Sequence, residues 1–168
     1  MESSIFGHQP QADIELLKRG FHLAYCHVAG LFGNQVAVER WNEFYQMLIT
    51  RRGFSKKPAL EGMSRGGIII YNWASENPEK VSCIYGDAPV CDIRSWPGGK
   101  GKGKGGGSAW KAALKAHRIT DEESKSAKVS PIHKLKPIAD AGIPILHVVG
   151  AADEVVPVDE NSEIIENI

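Results

Sequence analysis

The stretch PALEGMSRGG, residues 58–67, joins a short apolar segment to a helical one through a single serine. Its first six residues predict a strand, and the isoleucine-rich residues that follow it predict a helix ending near Pro78. Gly62, Ser64 and Gly66 form the pattern G-x-S-x-G at the junction. In a sharp strand-to-helix turn this pattern holds the serine in a strained backbone conformation with its hydroxyl exposed, and the two glycines allow close approach without Cβ clashes. The alternative interpretation is a glycine-rich helix start in which the serine is only a cap.

Strands and helices on both sides of this turn predict the fold class. Three other apolar runs predict strands, at 21–28 (FHLAYCHV), 81–85 and 144–149 (PILHVV). The last run has almost no polar alternation, which is typical of a strand buried on both faces of a parallel sheet. Residues 35–51 place apolar side chains at helical spacing, and Gly53 ends that predicted helix. Strands that alternate with helices predict an α/β three-layer sandwich with a mainly parallel sheet.

The segment from about residue 86 to 130 interrupts this alternation. It contains PGGKGKGKGGGS, which by composition is too rich in glycine to hold one conformation. The run satisfies G-x(4)-G-K, but Gly105 stands where a phosphate-binding loop has serine or threonine, and no buried strand precedes the run. No aromatic residue is interleaved with its lysines, which argues against nucleic-acid binding. We interpret the segment as a lid-like excursion from a single domain over residues 1–168.

Residues 150–157, GAADEVVP, follow the last predicted strand and place Asp153 in the pattern D-x-x-V-P. Together with the elbow GMSRGG, this loop makes the chain resemble the α/β-hydrolase superfamily, in which the nucleophile precedes the acid. The resemblance covers about residues 5–165 and implies a partial α/β-hydrolase fold. It is nearest to esterase-like and dienelactone-hydrolase-like members and to the catalytic domains of prolyl-oligopeptidase-type peptidases.

The resemblance implies nucleophilic acyl transfer. Ser64 attacks an ester or amide carbonyl, a histidine takes its proton, and Asp153 orients that histidine and stabilises its charged form. The backbone N–H of Arg65 is implied as one oxyanion donor, and Phe6, in the loop before the first helix, as the second. This chemistry needs no metal ion and no organic cofactor.

The leading functional interpretation is therefore a serine hydrolase that acts on small carboxylic esters. Two alternatives stay open. One is a non-catalytic, hydrolase-like binding module, and the other is a prolyl-oligopeptidase-like serine peptidase.

The histidine of the triad cannot be identified in this chain. None of its histidines follows Asp153, where the family places the base. The one inside the predicted strand PILHVV is expected to be a core residue. Asp87 and Asp92 are weaker candidates for the acid, since neither lies in a D-x-x-V-P setting. The six histidines are His8, His22, His27, His117, His133 and His147.

Composition excludes several classes of partner. Twenty Lys and Arg residues balance twenty Asp and Glu residues, so net charge does not steer the chain to nucleic acid or an anionic membrane. The three cysteines form no CxxC pair and are expected to be buried thiols. No apolar run approaches the roughly 20 residues of a membrane span, and no signal peptide is found, which is compatible with a cytoplasmic protein. The expected partner is a small-molecule ester.

The chain is shorter than the family it resembles at both ends. The early strands, the last strand and the histidine-bearing loop have no counterpart in the sequence. We expect a fragment, a truncated gene model or a naturally minimal homologue, with an unpaired sheet edge that is prone to association. Without its base, this chain is predicted to hydrolyse activated esters several orders of magnitude more slowly than a complete relative.

Overall fold

The computed structural model describes residues 11–167 as a small parallel sheet with helices packed around it. The strands are β1 Ala59–Met63, β2 Cys83–Asp87 and β3 Ile145–Val148. The helices are α1 Gln11–Lys18, α2 Gln35–Arg52, α3 Gly66–Glu76, α4 Gly107–His117, α5 Lys136–Asp140 and α6 Ser162–Glu166. Short 3-10 turns lie at Ala29–Leu31, Pro78–Lys80, Glu123–Lys125, Pro131–His133 and Val158–Glu160.

The three strands are all parallel, in the order β1-β2-β3. Their register places Leu60 beside Ile84 and Ile84 beside Ile145, on the face that α3 covers. The opposite face carries Met63 and Leu146, whose exposed fractions are 55% and 62%. The predicted α/β architecture with a parallel sheet is confirmed.

Helix α3 forms the centre of the core. Its residues 67–74 are all buried, and the indole of Trp73 donates to the side chain of Asn42 on α2 at 3.0 Å. Helix α2 begins where Asn34 accepts the N–H of Ala37, and it ends at Gly53, whose φ is 67°. These ends agree with the helix predicted over 35–51, because both caps are local signals.

The strand predicted at 21–28 is wrong. The segment has no regular secondary structure and belongs to no sheet, and Phe21 and Tyr25 are 60% and 65% exposed. Only its last residues reach the core, through Cys26 and Val28. A strand exists only through hydrogen bonds to a neighbour, and within residues 11–167 no strand lies beside this segment to supply them.

The segment over residues 86–130 packs into a second apolar cluster beside the main core. Phe32 and Ile68 meet Val90, Ile93 and Trp110 there. Val156, from the loop after β3, completes the cluster. The excursion is therefore packed against the loop that bears the predicted acid.

Candidate active site

Ser64 lies in the turn between β1 and α3, at the carboxyl end of the sheet. Its φ is 49°, in the left-handed region that L-residues rarely adopt. Two backbone hydrogen bonds impose this conformation: the Ser64 N–H donates to the Asp87 carbonyl, and the Val90 N–H donates to the Ser64 carbonyl, both at 2.8 Å. A strained residue held from both sides by an adjacent strand end is characteristic of a functional turn.

The glycines around Ser64 have unequal steric roles. A Cβ on Gly62 would stand 2.8–2.9 Å from Ile70 and from the backbone of Gly66, so this position must be glycine. A Cβ on Gly66 itself would meet nothing within 4 Å. The second close approach falls one residue later, since a Cβ on Gly67 would be 2.7 Å from the Val90 carbonyl oxygen. The prediction that Gly66 prevents a Cβ clash is therefore wrong, and Gly67 has that role.

Arg65 directly precedes the first turn of α3. Within residues 11–167, its backbone N–H donates to no protein acceptor, whereas the N–H of Gly67 is taken by the Ser64 carbonyl at 2.9 Å. The Arg65 guanidinium lies 5.4 Å from the centre of the Phe32 ring. The N–H is thus available beside Ser64 at the positive end of an 11-residue helix. The other predicted donor, Phe6, lies outside the described residues.

Asp153 lies in the loop that follows β3. Its Oδ1 accepts the backbone N–H groups of Val155 and Val156 at 2.8 and 2.9 Å, which fixes the carboxylate within its own turn. Since parallel strands end on the same edge of a sheet, Asp153 and Ser64 lie along one edge with β2 between them. Two strand spacings, roughly 10 Å in all, separate the strand axes that carry them.

The two alternative acids have other contacts. One oxygen of Asp92 accepts from the Arg94 N–H at 2.9 Å and from the Ser130 hydroxyl at 2.8 Å, so this side chain stabilises a turn. Asp87 belongs to β2, and its register partner on β1 is Met63 on the exposed face of the sheet.

Sequence reasoning missed a carboxyl pair on that face. Burial, first of all, and then the charge of Asp13 on α1 raise the pKa of Glu61 to about 7, and Asp87 adds a smaller effect. Asp13 is only 8% exposed, and one of its carboxylate oxygens has no hydrogen-bond donor among the described groups. A proton on Glu61 removes the repulsion between the two carboxylates. The pair joins helices and strands 48 positions apart in the chain, so no local pattern could have indicated it.

Two histidines of the described region are bound into the interior. The Nε2 of His147 lies 2.6 Å from the hydroxyl of Tyr71 on α3, and that of His117 lies 2.8 Å from the Phe32 carbonyl oxygen. Burial lowers the pKa of both rings. His147 has the surroundings expected of a core histidine. His22, His27 and His133 are exposed, and His8 lies outside the described residues.

The glycine-lysine loop, defined here as residues 98–106, packs closely on the segment after Asp153. The Lys104 N–H donates to the Glu154 carbonyl at 2.7 Å, and the Lys104 side chain pairs with the Glu154 carboxylate. A Cβ on Gly103 would stand 2.8 Å from the ring of Pro157. The glycines of this loop therefore have backbone and ring contacts that composition alone did not predict.

Two depressions, of about 570 and 260 Å³, lie on α2 and beside the glycine-lysine loop, and neither is lined by Ser64. Across residues 11–167, no three His, Cys, Asp or Glu side chains are grouped closely enough to hold a metal ion. None of the helices in that range is long and apolar enough to cross a membrane.

Comparison with known proteins identifies the fold. No family model matches the chain, and no curated protein matches it in sequence. Among solved structures, the chain is similar to a serine-to-alanine mutant of puromycin hydrolase complexed with PGG, with 19% identity and a TM-score of 0.60. The match covers 82% of this chain but only 20% of that protein, so the chain spans about a fifth of its length. The parallel sheet, the turn at Ser64 and this similarity show that the chain has part of the α/β-hydrolase fold.

Proposed function

We propose that this chain is part of a serine hydrolase that transfers the acyl group of small carboxylic esters to water. The observation that carries the proposal is the backbone of Ser64, which has a φ of 49° and is hydrogen-bonded to Asp87 at the end of β2 and to Val90 in the loop after it. A capping serine at an ordinary helix start has an extended backbone and needs no such strain. The conformation supports a nucleophile rather than a cap.

In the proposed reaction, the Ser64 Oγ attacks the ester carbonyl carbon while a histidine accepts the hydroxyl proton. The tetrahedral oxyanion accepts a hydrogen bond from the backbone N–H of Arg65, and its collapse releases the alcohol, which takes the proton from the histidine. Water then attacks the acyl-enzyme by the same steps and regenerates the serine. Asp153 holds the imidazole in the required tautomer through Oδ2, since Oδ1 already accepts two N–H groups of its own turn.

Amide substrates are the second candidate. The similar structure is that of a puromycin hydrolase, and the motifs at Ser64 and Asp153 also resemble those of prolyl-oligopeptidase-like serine peptidases. Turnover of short p-nitrophenyl esters is compared with turnover of a proline-site peptide. Faster turnover of the peptide favours a peptidase over an esterase.

The test supplies a base in solution. Imidazole is added to the 168-residue chain, and hydrolysis of p-nitrophenyl acetate is measured against Ser64→Ala as a blank that removes the reaction of imidazole itself. We expect a Ser64-dependent rate that rises with imidazole and falls in Asp153→Ala, because that carboxylate orients the ring. Equal rates for the wild type and Ser64→Ala at every imidazole concentration contradict the proposal and favour the non-catalytic binding module.

Robust Ser64-dependent turnover without imidazole has a different meaning. This result agrees with Ser64 as the nucleophile and shows that a histidine of this chain acts as the base. His133, which is exposed, and His8 are then the first positions to replace with alanine.

A further inference from the structure

Asn161 is a completely buried amide between two loops, with 0% of its surface exposed. Its Oδ1 accepts the backbone N–H groups of Cys91 and Asp92 at 2.8 and 3.1 Å. Its Nδ2 donates to the Ser95 hydroxyl at 3.1 Å and to the Pro157 carbonyl at 3.0 Å. All the hydrogen-bonding capacity of the NH₂ group and both lone pairs of the oxygen are therefore used.

The first loop that Asn161 binds is the one that fixes Ser64. Cys91 directly follows Val90, whose N–H donates to the Ser64 carbonyl, and Asp87 accepts the Ser64 N–H. The acceptor side of Asn161 thus holds the end of the segment that imposes the strained conformation on the serine.

The second loop is the one that bears the acid. Pro157 directly follows Val156, whose N–H donates to the Asp153 carboxylate at 2.9 Å. Ser95, the other acceptor, donates in turn to the Glu160 carboxylate at 2.6 Å, which ties the same two segments a second time. The donor side of Asn161 therefore holds the turn in which the Asp153 carboxylate is oriented.

Only an amide has a donor and an acceptor on one planar group of this size. A leucine of similar volume leaves the N–H groups of Cys91 and Asp92 without an acceptor and removes the donors to Ser95 and Pro157. An aspartate keeps the acceptor but loses the two donors. We infer that Asn161 is a positioning residue that sets the acid turn at Asp153 relative to the nucleophile turn at Ser64. The inference rests on the proposed function.

A matched control is present in the same molecule. Asn77 is also buried, with 5% of its surface exposed, and its Nδ2 donates to the Trp73 carbonyl at 3.0 Å. It lies at the C-terminal end of α3, away from the edge that carries Ser64. Asn77→Leu therefore reproduces the loss of a buried amide without touching either loop.

The experiment is a double-mutant cycle on the imidazole-supported, Ser64-dependent rate, measured well below each variant's melting temperature. Asn161→Leu should lower this rate about tenfold or more in the wild type and change it less than about twofold in Asp153→Ala, since residues that act through one another are not additive. Asn77→Leu should lower the melting temperature and leave the rate unchanged. Equal losses from Asn161→Leu in both backgrounds, or equal losses from both leucine variants, overturn the inference.

Amide exchange separates failure of this inference from failure of the proposed function. The N–H groups of Val155 and Val156 donate to Asp153 and not to Asn161. A substitution that removes only the hydrogen bonds of Asn161 itself therefore leaves these two amides protected, whereas one that displaces the acid turn exposes them. We expect Asn161→Asp and Asn161→Leu to speed their exchange by about tenfold or more, with Val38 on α2 unchanged. Unchanged exchange at Val155 and Val156 overturns the positioning role, whether or not Ser64 is a nucleophile.

If neither variant folds, the wild type supplies the same readout. If Asn161 joins the two loops into one rigid unit, the amides of Cys91 and Val156 open together, and their protection factors agree within about tenfold. A larger difference shows that the two loops open independently and overturns the inference.

Discussion

At the scale of single residues, the turn at Ser64 depends on backbone conformations that a motif describes only in part. The pattern G-x-S-x-G correctly predicted a strand-to-helix turn at Ser64, because strand, turn and helix signals there are all local. It did not predict which glycine the close approach requires. Gly67 meets Val90, which is distant in sequence, and that contact depends on where the segment after β2 lies.

The strain at Ser64 is expected to be measurable as stability. Glycine adopts a φ of 49° without a Cβ penalty, whereas alanine keeps the penalty. Allowing for the greater flexibility of glycine in the unfolded chain, Ser64→Gly should be more stable than Ser64→Ala by about 0.5–1 kcal/mol. Urea denaturation of the two variants measures the difference, and a Ser64→Ala protein of equal or greater stability contradicts the strain.

The two glycines that follow Ser64 should respond oppositely to alanine. Gly67→Ala puts a methyl group 2.7 Å from the Val90 oxygen and from Pro89, and it should cost about 2 kcal/mol or more. Gly66→Ala places its methyl in open space at the first position of α3, and it should be neutral or stabilise by up to about 1 kcal/mol. Thermal and urea unfolding of this pair tests the geometry, and equal costs at the two positions contradict it.

The carboxyl pair on the open face of the sheet should make stability depend on pH. The pKa of Glu61 is raised from 4.5 to about 7, so the folded chain keeps a proton that the unfolded chain releases. The resulting stabilisation is fully present below about pH 4.5 and is lost as the pH rises through about 7. The free energy of unfolding of the wild type should therefore fall over this range relative to Glu61→Gln. Parallel pH profiles for the two proteins contradict the raised pKa.

At the scale of elements, segments were predicted well where their signals are local and poorly where they depend on distant partners. Helix α2 has its own caps, and its predicted range was correct within one residue. The run at 21–28 has the composition of a buried strand, but a strand needs a neighbouring strand for its hydrogen bonds. The opposite error was made for the glycine-lysine loop, whose composition predicted that it holds no single conformation. Its close contacts with the loop after β3 depend on the folded structure.

Close backbone packing at the glycines should stabilise the glycine-lysine loop more than its ion pairs do. The Lys104–Glu154 pair is about 70% exposed on each side, and exposed ion pairs contribute only about 0–1 kcal/mol. A Cβ at Gly103 would stand 2.8 Å from Pro157, so Gly103→Ala should cost about 1–3 kcal/mol. Lys104→Gln should cost much less. Urea unfolding at low and high salt compares the two, and a larger loss from Lys104→Gln, reversed by salt, contradicts this account.

At the scale of the whole molecule, the sequence correctly indicated a parallel α/β sheet, and the structure adds how its edge is organised. Ser64 and Asp153 could be proposed as nucleophile and acid from local motifs, since each follows a strand end. Asn161 was not found, because its four contacts join segments up to 70 positions apart. Hydrogen bonds between distant segments leave no periodic pattern in the sequence, so they can be identified only in the folded structure.

One face of the sheet should make this chain associate. Met63, Leu146 and Val148 lie on the same face, with exposed fractions of 55%, 62% and 47%. Exposed apolar side chains on a sheet face favour contact between copies, because contact removes their surface from water. Leu146→Lys combined with Val148→Lys should therefore shift the 168-residue chain toward the monomer in sedimentation velocity. The matched control is Val36→Lys, which replaces a 42% exposed apolar residue of α2 and should leave association unchanged. A wild-type chain that stays monomeric as concentration rises, or equal effects of both changes, contradicts a specific role for this face.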